Sequence, residues 1–450
     1  GGGGGGGGCH RALLRRLLSS CVVSWGPDDG SGQLGRPAHR SKGLPREVPA
    51  LSGKGVVACA PGGVQTFLTT AEGRLVILGP AGTARHPGGC RDHAKPKVYT
   101  TLKRQGVRVM AVGTGDMTSI AVDDRGQLYY WGPLPFPGGG PSAAPQRLDY
   151  QLPVATVVKR VACGATFAVV LGNAGEVFAL GEFVDESINI PVGERDRWRI
   201  TSPSSGALLE STGWPLPPEM LRDHGRVVDV SAGSAHTLFL LADGAVAGWG
   251  VGREGQLGMG LGQLSLQATP RLVEPLQGVP IKALAAGEKH SLFLAVDGAV
   301  WACGSNLHGQ LGLGVYSADG LADLVREAVH GGDGRSAAVE GEAVPRNRFS
   351  PLPLRVDLLS GPCRLIACGG SSSAAVLSSG LVYHWGIIGS GQQSEAARGS
   401  DTERPIQVYG DLAPGGLTSQ EGGRTILDLE ASPRGNFFAL CDAGGHHEAG

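Results

Sequence analysis

The sequence predicts an all-β propeller of seven blades, and three observations carry that expectation. Glycine triplets recur six times in one register: Gly62, Gly115, Gly164, Gly233, Gly287 and Gly369 are each followed by a glycine eleven and another seventeen residues later. Between the first two glycines the chain is apolar, as in His236-Thr-Leu-Phe-Leu-Leu-Ala-Asp-Gly244 and His290-Ser-Leu-Phe-Leu-Ala-Val-Asp-Gly298. A buried strand, a tight Asp-Gly turn and a second strand ending in Trp-Gly or Leu-Gly fit that pattern. The third observation is a seventh unit divided between the two ends of the chain.

Taken in order, residues 1–20 are eight glycines and Cys9-His-Arg-Ala-Leu-Leu-Arg-Arg-Leu-Leu-Ser-Ser20, rich in Arg and free of acids. Such a composition suits an organelle transit peptide or a basic tail. Strand blocks follow at residues 56–79, 107–132, 158–181, 227–250, 281–304 and 364–386. Thr425-Ile-Leu-Asp-Leu and Asn436-Phe-Phe-Ala-Leu begin a seventh block that lacks its Trp-Gly. Cys21-Val-Val-Ser-Trp-Gly26 supplies it from the N-terminal end, and pairing the two closes a ring without an exposed sheet edge. A period of roughly fifty residues of short strands belongs to such closed arrays, because one small sheet cannot bury both of its faces alone. One propeller therefore spans residues 21–445, with a tail at 446–450.

Two further signatures mark the outer strands. Gly-Gln-Leu-Gly occurs at Gly32, Gly255 and Gly309, and Pro-x-x-[Val/Leu] begins at Pro45, Pro145, Pro270, Pro353 and Pro405. Proline is tolerated at the start of an edge strand, where its missing N–H is not needed. The register is interrupted twice, at residues 182–226 and 315–362. The second interruption carries a short helical stretch, Leu321-Ala-Asp-Leu-Val-Arg-Glu-Ala-Val329.

In the order [Ala/Ser]-[Ala/Cys]-Gly-x-x-His, Asp-Gly, Val-x-x-Trp-Gly, Gly-Gln-Leu-Gly, these motifs resemble the regulator of chromosome condensation repeat. The resemblance covers residues 21–445 and implies a seven-bladed propeller closed by the same exchange of terminal strands. It is full in the fourth and fifth blocks; the family's histidine position is held by Gln65, Thr118, Phe167, His236, His290, Ser372 and Asn436. A position that accepts Phe is architectural, so His236 and His290 are expected to hold blades together. Trp25, Trp131, Trp249 and Trp385 precede the repeat glycine and are expected in blade cores. Cys59, Cys163 and Cys368 share one repeat position and are expected to be small buried core residues, not members of a disulfide framework.

The composition excludes several classes of function. Charged residues are 18% and the net charge is -1, which by itself predicts no polyanion partner. There is no CxxC pair, no zinc spacing, no phosphate loop, no Gly-x-Ser-x-Gly and no HExxH, so no enzyme activity, cofactor or metal is expected. Gly113-Thr-Gly115 imitates a nucleotide loop but belongs to the repeat. No apolar stretch reaches membrane-spanning length.

Charge is nevertheless uneven: residues 1–110 hold sixteen Lys and Arg against five Asp and Glu. Arg91, Lys95, Lys97, Lys103, Arg104 and Arg108 cluster at the link between the first two blocks, a group able to contact phosphates, as on ribosomal RNA. The resemblance implies two functional expectations. Mitochondrial members of the family associate with ribosomal components, which with the basic leader points to a non-catalytic scaffold. Its place would be as a subunit or assembly factor of a mitochondrial ribonucleoprotein or protein complex such as the mitoribosome, with a cytoplasmic or nuclear location as the alternative. The family's founding activity, nucleotide exchange on a Ran-like small GTPase, uses a carboxylate after Gly-x-Phe-x-Asp; Gly181-Glu-Phe-Val-Asp185 matches it, making Phe183 and Asp185 the candidates. The segment follows the third complete block here and the second in the exchange factor.

Overall fold

In the computed structural model, the described residues are 21–25, 34–35, 45–79 without 64, 95–132 without 117, 142–152, 156–181, 218–315, 318–330, 348–387, 404–409, 426–433 and 436–441. Their strands form seven antiparallel sheets. Blade 4 is representative: Val227–Ala232 lines the inside, followed outward by His236–Leu241, Val246–Gly250 and Gln267–Leu272. The inner strands of the other blades are Val56–Pro61, Val109–Thr114, Val158–Cys163, Ile281–Ala286, Cys363–Cys368 and Ile426–Ala431. Blade 3 has three strands among the described residues.

Two physical demands fix the glycine register. At the tight turn, Gly244 adopts φ +90° and donates its N–H to Leu241 O at 3.0 Å, a backbone region that L side chains rarely enter. The preceding aspartate completes the turn, with Ala245 N–H donating to Asp243 Oδ1 at 2.9 Å. The origin glycines answer to a different demand. A methyl group on Gly287 would lie 2.6 Å from Gly369 O of the next blade, and one on Gly115 would collide with Gly164 O. The blades abut through these backbones: Ser234 N–H donates to Gly287 O at 3.3 Å and Gly63 N–H to Gly115 O at 3.1 Å.

The second strand lies between two sheet faces and is buried along its length in blades 4 and 5, at His236–Leu241 and His290–Ala295. Cores form between neighbouring blades; Phe167, Val169 and Leu171 of blade 3 pack with Val230, Phe239 and Trp249 of blade 4. Trp25, Trp249 and Trp385 are fully buried, and Trp25 stacks on Phe437 at 5.4 Å. That stacking crosses the closure, where Cys21–Trp25 pairs with Phe437–Cys441 in register from Cys21 opposite Cys441 to Trp25 opposite Phe437. The outer member of this sheet is Arg46–Glu47.

Three expectations need adjustment. Residues 349–355 form the outer strand Phe349–Arg355 of blade 5, so the second interruption is shorter than 315–362. Its helix runs Ala318–His330, and Leu321 and Val325 pack on Leu354 of that strand. The first interruption ends in a helix, Pro218–His224, which seats Met220 in the core between blades 3 and 4. Cys59 is half-buried whereas Cys163 and Cys368 are buried, although all three line the central channel. No helix among the described residues is long and apolar enough to cross a membrane.

Candidate interaction surfaces

The repeat-borne polar residues face neighbouring blades. His236 Nε2 lies 3.0 Å from Ser291 Oγ of blade 5, and that hydroxyl donates to Gln256 O at 2.7 Å. Because the hydroxyl has one hydrogen, already given to Gln256 O, the imidazole must donate from Nε2. The arrangement repeats one blade on: His290 Nε2 lies 2.9 Å from Ser373 Oγ, which donates to Gln310 O at 2.8 Å. Trp385 Nε1 also donates to Gln310 O, at 2.9 Å. Gln256 and Gln310 are the second residues of Gly-Gln-Leu-Gly, so this loop latches blade 4 onto blade 5 and blade 5 onto blade 6. Burial pushes His236 down to about 3, with His290 adding to the shift, and pushes His290 down to about 4. Both are neutral at physiological pH and serve the architecture. Nothing in the sequence marks Ser291 and Ser373, because a Ser in a buried strand carries no distinguishing signal.

The inner strands enclose a channel of about 560 Å³. Its chemistry is concentrated on one crossing: Arg160 of blade 3 donates to Glu430 Oε1 of blade 7 at 2.8 Å and approaches Asp229 Oδ1 of blade 4 at 3.5 Å. Burial within the ring pushes Glu430 up to about 7 against the pull of Arg160, helped by Asp428 and Asp229. The attraction of Glu430 holds the Arg160 guanidinium even more firmly charged than usual. At one mouth, Lys159 donates to Val228 O, Lys282 to Cys363 O at 3.5 Å and Arg364 to Ile426 O, each reaching the next blade's inner strand. These cations occupy carbonyls on the strand edge that faces the channel, where sheet pairing ends.

The basic group predicted from the sequence lies on blade 1 and its link to blade 2. Lys95, Lys97, Lys103, Arg104 and Arg108 are all exposed. Lys97 sits on the short outer strand Lys97–Val98, opposite Ile77. Lys103 and Arg104 end the helix Thr100–Arg104, whose Leu102 is anchored among Phe67, Leu75 and Trp131. Cations at a helix C-terminus are favoured by the backbone dipole. Arg108 lies across the turn glycine Gly73. Arg91, Phe183 and Asp185 fall outside the described residues. No group of three or more His, Cys, Asp or Glu among the described residues could hold a metal ion.

A family model for the RCC1-like domain matches residues 21–426, from the strand Cys21–Trp25 through blades 1 to 6. The chain belongs to the RCC1-like domain family. This RCC1-like chain is 29% identical over 279 residues to the E3 ubiquitin-protein ligase HERC2 of Homo sapiens, covering 60% of the chain and 5% of that protein. It is 26% identical over 309 residues to the RCC1 domain-containing protein RUG3, mitochondrial, of Arabidopsis thaliana, covering 64% and 62%. To the guanine nucleotide exchange factor SRM1 of Saccharomyces cerevisiae it is 25% identical over 351 residues, covering 73% and 65%. The chain thus spans less than two thirds of the length of each of these relatives. Among solved structures, Prp20p from Saccharomyces cerevisiae, described with its binding to Gsp1p and histones, matches with TM-score 0.67 and 20% identity, covering 94% of the chain and 92% of Prp20p. Human WBSCR16 matches with TM-score 0.63 and 20% identity, covering 94% and 99%. At that identity both likenesses concern the fold.

Proposed function

We propose that this RCC1-like propeller is a non-catalytic interaction scaffold. In this reading it is a subunit or assembly factor of a mitochondrial ribonucleoprotein or protein complex such as the mitoribosome. One contrast carries the reading: the polar residues of the repeat are spent on blade-to-blade bonds such as His236 to Ser291, whereas Lys95, Lys97, Lys103, Arg104 and Arg108 stand exposed together. Similarity to a mitochondrial relative supports the compartment. Exposed cations contact phosphates without reading base sequence, which suits docking onto a large ribonucleoprotein. The test is fractionation of tagged full-length chain on a density gradient, with and without ribonuclease. Migration with a large assembly is expected; migration only as a monomer would remove the proposal.

A second reading, nucleotide exchange on a Ran-like small GTPase, is favoured by the match to SRM1 over 73% of the chain. It assigns the disturbing carboxylate to Asp185, which would act at a GTPase's magnesium and phosphate site. Release of labelled nucleotide from such a GTPase, accelerated by the chain and lost on Asp185→Ala, is its expected signature. Unchanged release rates would dismiss it.

A further inference from the structure

In blades whose second and third strands are continuous in sequence, a tight turn joins them covalently, bracketed by two residues that share a backbone hydrogen bond. Leu241 and Ala245 bracket it in blade 4, Ala295 and Ala299 in blade 5, and Leu377 and Leu381 in blade 6, each pair bonded at 2.9 Å. Blade 7 has no such turn, because its second strand comes from one end of the chain and its third from the other. Trp25 opposite Phe437 corresponds to Trp249 opposite Thr237 in blade 4. Four residues along each strand, the positions that bracket the turn elsewhere are occupied by Cys21 and Cys441, which are register partners.

Their side chains lie on the same face of the sheet. Both belong to one apolar cluster with Val23, Ile426 and Ala439, and they retain 3% and 2% exposure. Opposed residues of a hydrogen-bonded antiparallel pair have Cα atoms about 5.5 Å apart, inside the span of roughly 4.4–6.8 Å that a disulfide bridges, and Cβ atoms near 5.5 Å, so the two strand ends must draw together by about 1 Å as the bond forms. Each of the other described cysteines faces a residue of another type: Cys59 faces Leu68, Cys163 Ala168, Cys303 Ser291, Cys363 Leu377 and Cys368 Ser373.

We propose that Cys21 and Cys441 are a disulfide-forming pair that replaces the missing turn of blade 7 and covalently clasps the ring under oxidising conditions. Both are thiols in this structure. The oxidant is a small-molecule disulfide such as oxidised glutathione. When the strand ends fray, one cysteine thiolate attacks a sulfur of that disulfide, forming a mixed disulfide and expelling one glutathione thiolate, which takes up a proton. The second cysteine thiolate then attacks the protein sulfur, forming the Cys21–Cys441 bond and expelling the second glutathione. Two thiol protons and two electrons pass from the protein to the oxidant. The ring seam, held in the reduced chain by five register pairs and packing, then resists opening. Closing so long a loop restricts the unfolded chain and raises Tm by about 4 °C for a chain of this size.

The test treats the purified full chain with oxidised glutathione, blocks remaining thiols, digests it and maps linked peptides by mass spectrometry, with thermal unfolding measured before and after reduction. A linked pair containing residues 21 and 441, a Tm that falls by about 4 °C on reduction, and loss of that difference in Cys21→Ser and Cys441→Ser are expected. Linkage through other cysteines, glutathione adducts alone, or a Tm indifferent to reduction would overturn the proposal. If the serine variants fail to fold, the wild-type peptide map and its response to reductant decide the matter.

Discussion

His236 Nε2 donates to Ser291 Oγ across the boundary between blades 4 and 5, at 3.0 Å, and the same serine donates to Gln256 O at 2.7 Å. Three residues from two blades and one connecting loop thereby form a chain of bonds closed to water, since His236 and Ser291 are both fully buried. Ser291→Ala removes the middle link and leaves an imidazole N–H and a carbonyl buried without it. A loss of roughly 1–3 kcal/mol follows. Denaturant unfolding should show an earlier midpoint at unchanged slope; an unchanged midpoint would mean that the latch contributes nothing.

Acid should weaken the ring. His236 and His384 are pushed down to about 3 and His290 to about 4, all by burial. The unfolded chain takes up protons on these residues near pH 6.5, while the folded chain does so only near pH 3–4. Their stabilising contribution is complete above pH 6.5 and declines as pH falls toward 4. His384→Phe, which keeps the ring that meets Phe437 edge-on at 4.7 Å, should shallow that decline in unfolding measured across the same window.

Glu430 acts with the opposite sign. Its carboxyl is pushed up to about 7 from 4.5 by burial, so the folded chain keeps a proton that the unfolded chain has lost. Stability from this group is complete below pH 4.5 and disappears as pH rises through 7. Glu430→Gln should flatten stability between pH 5 and 8 while the acid-side decline persists. A variant as steep as wild type in that range would contradict the assignment.

The glycine register makes a graded prediction. Gly287→Ala places a methyl 2.6 Å from Gly369 O and against the His290 ring of its own blade, so the interface must part; a cost on the order of 2–4 kcal/mol is expected. At Gly262, a methyl meets nothing within 4 Å and the backbone is not left-handed, so alanine there should stay within about 0.5 kcal/mol of wild type. Equal effects at the two sites, read from thermal unfolding, would undo the close-approach explanation.

The same contrast explains what could be read from the sequence. A missing Cβ between abutting blades permits one residue type, so the origin glycines announce themselves, and Trp25 announces the split blade by standing before a glycine at the wrong end of the chain. Ser291 and Ser373 do not, because a small polar residue in a buried strand looks alike whether or not a neighbouring blade supplies its partner. Arg160 and Glu430 meet across the channel although 270 residues separate them, and no spacing rule joins them. Among the basic residues the type was legible but the setting was not: Lys97 guards a sheet edge, while Lys103 and Arg104 are presented by a one-turn helix anchored through Leu102. The helix Pro218–His224 is silent in the sequence because a single buried Met220 sets up no period.

The scaffold reading is tested most directly by comparing gradient sedimentation of the full chain with that of a variant carrying Lys103→Glu, Arg104→Glu and Arg108→Glu. All three residues are exposed, so the fold should be retained, with Tm lowered only slightly by acids at the helix C-terminus. Wild type is expected to travel with a large, ribonuclease-sensitive assembly and the variant to stay near the top as free protein. If both travel with the assembly, the basic edge is not the docking surface; if neither does, the scaffold account itself is contradicted.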